Sequence, residues 1–375
     1  MSLIGVLIMV KNEEKSIATT INSVKNIKNI IVFDTGSKDK TISIIDSTCR
    51  ENKQTLYLKQ GVFKTFPESR NEAIEFAETV KVKYLLLLDA GDELRLNMSF
   101  DDFMVFLSNL DPKIRFGVVK HRWLEENNST IAEHTDLRLI KNKSGCRYDI
   151  STPVHEAFSN VDYFMDMSNE IILYQDRIKY GINTQARYKK DIELLKAAKP
   201  SKRNYYFLGQ TYMNMKNFNE AFKYNVLSIE FNENDSHQIN GLDEQSAYIR
   251  AGYCAMMTNK DVDVIFKYLD RAIKFNNPSI DSYIFMFKTA IDYHCIDRVL
   301  QHIETVFNMK KPEKSSTVIN HFFYDYVRWN LISIICLISK TKLQLGKEAC
   351  KLAIQSKYQH PDDLKNSMIY QSLDL

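Results

Sequence analysis

Several common signatures are missing from this chain. No Cys-X-X-Cys pair occurs, and the six cysteines (Cys49, Cys146, Cys254, Cys295, Cys336 and Cys350) are widely scattered. That disfavours a zinc site and suggests no disulfide framework. It fits a reducing, cytoplasmic setting. No basic segment precedes the apolar opening MSLIGVLIMV, which therefore reads as a first strand rather than a leader. The longest later apolar run, residues 331–338, is also too short to cross a bilayer, so no transmembrane segment is expected. An excess of one charge is lacking as well: the net formal charge is +3 over 375 residues, with both signs interspersed. Nucleic acid is therefore not an expected partner, nor is an anionic membrane surface. There is no GxGxxG after the first strand and no GxxxxGK[ST] loop, which disfavours dinucleotide and P-loop chemistry.

What is present reads as ordinary globular sequence, 44% hydrophobic and 26% charged, long enough for two or three domains. The first half alternates strand-like and helix-like segments. Strands are expected at 3–10, 29–33, 55–58 and from 84. Helices are expected at 13–24, 39–50 and from Pro67 to 79. Such alternation predicts a mostly parallel sheet wrapped by helices. Two further strands, 116–123 and 136–140, belong in a mixed or antiparallel part. The stretch YLLLLDAGDEL, residues 84–94, stands out. An unbroken apolar run is the mark of a strand buried on both faces. Here it runs into Asp89 and Asp92. Ligands in open α/β sheets bind beyond the carboxyl ends of the strands, and two carboxylates there can hold a hard cation. The plainer reading of the same residues is a buried strand and an acidic turn.

Near Gly181 the pattern changes to helical periodicity. Helix pairs are expected at 205–215 with 219–231, 243–257 with 262–275, 279–293 with 298–307, and 316–340 with 347–357. Breakers separate them at 276–278, 311–312 and 360–361. A motif recurs: Ala221-Phe222-Lys223-Tyr224 ending in Ile229-Glu230-Phe231-Asn232, then Ile265-Phe266-Lys267-Tyr268 ending in Ile273-Lys274-Phe275-Asn276, at an offset of 44 residues. Repeated helix pairs stack into a solenoid with a concave face; a plain bundle is the alternative. The aromatic residues here are expected to pack between helices.

Five short pieces follow one another in the first half: VKNEE (10–14), FDTGSKDKT (33–41), SRNEA (69–73), LLDAGDEL (87–94) and PVHEAF (153–158). Each alone is weak. In this order and spacing they resemble family 2 glycosyltransferases of the GT-A fold, in the subgroup with tetratricopeptide-like helices after the catalytic domain. The resemblance covers roughly residues 2–182 and continues through RYKKDIELLKAAKPSKRNYYFLGQTYMNMKNFNEAF. It implies an α/β GT-A domain over 1–182 and an all-α, TPR-like domain over 183–375. It also implies transfer of a sugar, usually with inversion, from a nucleotide-diphosphate donor, with UDP the expected nucleotide.

The resemblance assigns roles residue by residue. Val10, Lys11, Asn12 and Glu13 line the nucleotide pocket. Asp34 accepts from the ring N–H of the base; otherwise it caps a turn. Arg70 offers a planar fork of donors to the nucleotide. Asp89, Ala90 and Gly91 fall in the family's Asp-X-Asp region, but Gly91 stands where a second aspartate is usual and Asp92 comes one residue late. A Mn²⁺ or Mg²⁺ ion is expected on Asp89, Asp92 and His155, weakened by that departure. Lys179 stands where the subgroup often has histidine and can neutralise the diphosphate directly. Glu156 is the expected general base, with Asp149 as competitor. The helical domain is expected to position the acceptor, a protein, peptide or glycan. The competing reading is a weakened GT-A protein acting as a helical-repeat scaffold, and Gly91 is the residue that favours it.

Overall fold

The computed structural model describes residues 2–124, 131–176, 184–231, 241–275, 278–312 and 319–373. They form two compact units, the first within residues 1–183 and including Ile319, the second running on from Thr184.

The first unit is built on four parallel strands, β1 (Ser2–Val10), β2 (Asn29–Asp34), β3 (Thr55–Gln60) and β4 (Val82–Leu88), in the order β3-β2-β1-β4. Three helices connect them: α1 (Ile17–Ser23), α2 (Thr41–Glu51) and α3 (Phe66–Ala77). Strand side chains alternate between faces, and the core divides accordingly. Ile4, Val6, Ile8, Tyr84, Leu86 and Leu88 pack with Ile17, Ile21 and Ile45 of α1 and α2. Leu7, Leu85 and Leu87 pack with Ala73, Ile74 and Ala77 of α3. Near-continuous apolar runs are what this two-sided burial requires.

The other half of the sheet is mixed. It contains β5 (Asp92–Leu96), β6 (Phe116–Leu124), β7 (Ile131–Lys141), β8 (Phe164–Asp166) and β9 (Ile171–Asp176), with α4 (Phe100–Ser108) between β5 and β6. The order continues β4-β7-β6-β9-β5, and the β4–β7, β6–β7 and β5–β9 pairs are antiparallel. The sequence pattern does not predict β5. The run through Leu94 breaks at Leu88, and Gly91, with φ of +96°, turns the chain so that Asp92 N–H donates to Asp89 C=O at 3.0 Å. A positive φ is inexpensive only for glycine, so Gly91 is the hinge that starts a new strand.

The second unit is helical: α5 (Thr184–Ala197), α6 (Lys202–Asn214), α7 (Phe218–Glu230), α8 (Gly241–Met257), α9 (Val262–Ala272), α10 (Ile280–Asp292), α11 (Ile303–Asn308), α12 (Arg328–Ser339), α13 (Leu343–Gln355) and α14 (Pro361–Ser372). The repeat has a packing counterpart. A Cβ on Gly209 would lie 2.7 Å from Asn225, and one on Gly252 would lie 2.6 Å from Leu269. In both pairs a glycine in the first helix lets the second approach closely, and Asn225 and Leu269 are separated by the same 44 residues as the repeated motif. Two expected helices differ. Residues 298–307 open as 3₁₀ turns before α11, and α12 follows a π-helical turn, Phe323–Val327. Pro361, read as a breaker, instead begins α14. His360 caps it, with its N–H donating to the Asp363 carboxylate at 2.8 Å, and proline suits a first helical position because its missing N–H is not needed there.

Candidate active site

Parallel register brings the flagged loops to one edge. Val10 is the partner of Asp34, and Ile8 is the partner of Leu88. The chain therefore leaves β1, β2 and β4 side by side, and Val10–Glu13, Asp34 and Asp89–Gly91 share the carboxyl edge. The first two loops are stitched together. Val10 C=O accepts from Thr35 N–H at 2.9 Å. Asn12, at φ +56°, donates its N–H to Ser37 Oγ at 2.9 Å and accepts from Lys38 N–H at 2.8 Å. Glu13 N–H donates to Thr41 Oγ1 at 2.7 Å. Lys11 and Asn12 are exposed. Burial holds the Glu13 carboxyl above its ordinary value; a hydrogen bond from Ser16 opposes this, and the charges of Asp89 and Asp39 add to it. Asp34 is fully buried, and its carboxylate accepts from Gly36 N–H and Ser37 N–H at 3.2 Å. Its local work is to shape the turn after β2, so any contact to a base would share oxygens already engaged.

At β4 the geometry is electrostatic. Asp89 leaves the strand on the α3 side, where Arg70 Nη2 meets its Oδ1 at 2.9 Å. Antiparallel pairing of Leu86 with Leu139 sets Arg138 just beyond, and its Nη1 meets Asp89 Oδ2 at 2.9 Å. Arg70 also pairs through Nε with Glu156, and Arg138 through Nε with Asp136 at 2.8 Å. The result is an alternating row, Glu156–Arg70–Asp89–Arg138–Asp136. Burial alone would raise the Asp89 carboxyl, but the Arg70 and Arg138 charges outweigh it and hold the carboxyl well below the ordinary carboxylate range. Sequence reasoning missed Arg138. Its only signal is a charged residue at alternate positions, Asp136 and Arg138, within an otherwise apolar expected strand.

Glu156 reaches Arg70 because its loop doubles back. Asp149 N–H donates to Ala157 C=O at 2.8 Å and Ser159 N–H to Arg147 C=O at 2.9 Å. The Tyr148 and Phe158 rings stack at 4.0 Å. Asn71, next to Arg70 on α3, grips the loop backbone from both sides: its Nδ2 donates to Tyr148 C=O at 2.9 Å and its Oδ1 accepts from Tyr148 N–H at 2.7 Å. Asp149 is half-buried, with Oδ1 accepting from Ser151 N–H at 2.9 Å. His155 is exposed with φ of +51°. Lys179 lies outside the described residues.

The expected cation set does not assemble. Asp92 is 0% exposed; its Oδ2 accepts from Asp89 N–H at 2.9 Å, and its Oδ1 faces His121 Nε2 at 3.2 Å and Gln175 at 3.4 Å. Both oxygens of Asp89 face guanidinium groups. Among the described residues, the cluster of three potential ligands with mutually close donor atoms is His121, His134 and Asp136, within 4.8 Å of one another, and not Asp89, Asp92 and His155. In this structure Asp92 is a buried support of the β4–β5 turn. The extra residue, Gly91, is the physical reason, because it turns Asp92 back under the Asp89 amide.

Residues 5–109 match the family described as Glycosyl transferase family 2. Over this stretch of the first unit the chain is similar to that family. The match spans β1 through α4, and so includes Asp34, Arg70, Asp89 and Asp92. No curated protein matches the chain. Among solved structures, S. aureus TarS is similar at 12% identity, covering 71% of this chain and 54% of that one, with a TM-score of 0.39. S. aureus TarS 1-349 in complex with UDP-GlcNAc is similar at 12% identity over 84% of this chain and 95% of that one, TM-score 0.35. MamA is similar at 16% identity over 51% of this chain and 91% of that one, TM-score 0.34. Among the described residues no helix is long and apolar enough to cross a membrane.

Proposed function

We propose that this chain transfers a sugar from a nucleoside-diphosphate donor, UDP-linked, to an acceptor hydroxyl with inversion, in the cytoplasm. The observation that carries the reading is the row of Arg70, Asp89 and Arg138 at the carboxyl edge of a unit similar to family 2 glycosyltransferases. Breaking the donor bond requires the base and ribose to be held, the leaving diphosphate to be neutralised and the acceptor to lose a proton. The loops at Val10–Glu13 and Asp34 hold the nucleoside. Arg70 and Arg138 carry N–H donors beyond the two each places on carboxylates, and these serve the phosphate oxygens. Neutralisation therefore falls on fixed guanidinium charge, joined by Lys179, rather than on Mn²⁺ or Mg²⁺ at Asp89. Glu156, or Asp149 beside it in the chain, takes the acceptor proton. The helical unit positions the acceptor, a protein, peptide or glycan, on its repeat surface.

The test is calorimetric titration with a panel of nucleoside diphosphates, in Mn²⁺ and in chelator. UDP binding that survives chelation is expected. Arg138→Ala and Arg70→Ala should each weaken it by about 10–100-fold, the equivalent of one lost charge-assisted contact. Absence of nucleotide binding under both conditions would overturn the proposal and leave the helical-repeat scaffold.

A further inference from the structure

The mixed half of the sheet carries a second constellation that the glycosyltransferase reading does not use. His121 on β6 sits directly across from His134 on β7 in the antiparallel register. Asp136 lies two residues further along β7, and a two-residue step keeps side chains on one face. The pattern thus puts two imidazoles and a carboxylate together, with donor atoms within 4.8 Å of one another.

Two further observations point to a ligand. His121 is 5% exposed, and its Nδ1 has no hydrogen-bond partner among the described residues, while its Nε2 faces the buried Asp92 carboxylate at 3.2 Å. A buried imidazole held by a carboxylate at one nitrogen and unpartnered at the other has the arrangement of a metal-ligating histidine. The charge balance agrees. Among the described residues, Asp89, Asp136 and Glu156 pair with Arg70 and Arg138, three carboxylates to two guanidinium groups, and Asp92 faces His121 and Gln175. Trp123 packs edge-on against both imidazoles, with ring centroids 5.7 Å from His121 and 4.9 Å from His134, walling one side with apolar surface.

We propose that His121, His134 and Asp136 bind a divalent transition metal of the Zn²⁺ class, with Asp92 orienting His121 from behind. Two nitrogen donors and one carboxylate suit Zn²⁺ over Mg²⁺ or Ca²⁺, and three protein ligands leave a fourth, open position. Asp136 is the link to the first site. Its Oδ2 accepts from Arg138 Nε at 2.8 Å and its Oδ1 from Leu137 N–H at 2.8 Å, and each oxygen has a second lone pair for a metal. The cation pins Asp136 and, through it, the guanidinium that reaches Asp89.

The full chain, stripped with chelator, is titrated with Co²⁺ and then with Zn²⁺ against a chromophoric chelator. The expected Co²⁺ spectrum is that of a four-coordinate nitrogen–oxygen site without a thiolate charge-transfer band. His134→Gln, at a half-buried position, should weaken Zn²⁺ affinity by more than about 100-fold, beyond the range typical of losing a supporting residue. Asp92→Asn should leave the Co²⁺ spectrum in place and weaken affinity by about 10–100-fold. His121→Gln serves if His134→Gln does not fold. Equal Zn²⁺ affinity in wild type and the folded His variant, or a thiolate band in the Co²⁺ spectrum, overturns the assignment. Nucleotide binding is not read in either titration, so the outcome is separate from that of the transferase proposal.

Discussion

Replacing Arg138 with glutamine tests the electrostatic row directly. Arg138 bridges Asp89 and Asp136, both at under 3 Å. Removing one partner of a buried ion pair costs roughly 3–5 kcal/mol, because the other charge is left uncompensated. Here the carboxylates left behind are 34% and 41% exposed. Water therefore takes up part of the loss, and about 2 kcal/mol is the expected penalty. For a unit of this size that lowers the melting temperature by about 4–8 °C. The chain has two tryptophans, Trp123 and Trp329, so Trp329→Phe leaves Trp123 on β6 to report the α/β unit alone. The pH dependence follows from the depressed Asp89 carboxyl. An unfolded aspartate takes up its proton near about pH 3.9, whereas folded Asp89 does so lower. The unfolded state therefore binds the proton first, and the stabilisation is full above about pH 5 and is lost as pH falls through the folded value. The gap between Arg138→Gln and its parent should be constant from pH 5 to 8 and narrow below pH 4, by the same linkage. An unchanged melting temperature at pH 7, or a gap that widens in acid, would refute the reasoning.

Asn71→Ala should remove both hydrogen bonds to the Tyr148 backbone and cost about 1–3 kcal/mol. Limited proteolysis should then cut within residues 149–157 faster than in wild type, and unchanged cleavage would show that the loop holds itself. Gly252→Ala places a Cβ 2.6 Å from Leu269, and overpacking of this kind costs typically 1–3 kcal/mol, or about that here. Calorimetry should show the helical unit melting earlier with the α/β unit unmoved; equal melting would mean that the helices separate freely.

Much of the architecture was legible because hydrophobic period is local. Strands β1, β2 and β4 are runs apolar on both faces, and the shift to helical spacing after residue 183 marks the second unit. The glycine-for-aspartate departure at Gly91 was visible too, but not its consequence. That Gly91 begins a new strand depends on β9, some eighty residues on, being there to pair with β5. Pro361 misled for a related reason: proline ends a helix or begins one, and the cap made by His360 and Asp363 decides which.

The sequence by itself determined the alternation of elements, the family resemblance and the loops that reach the sheet's edge, since each depends on residues near one another in the chain. Only the tertiary structure decided which charges meet. Arg70 with Asp89, Arg138 with Asp136 and Asp89, and His121 with Asp92 and His134 are pairings made by helix docking and strand register, and a one-residue slip of β7 would send His134, Asp136 and Arg138 to the opposite face.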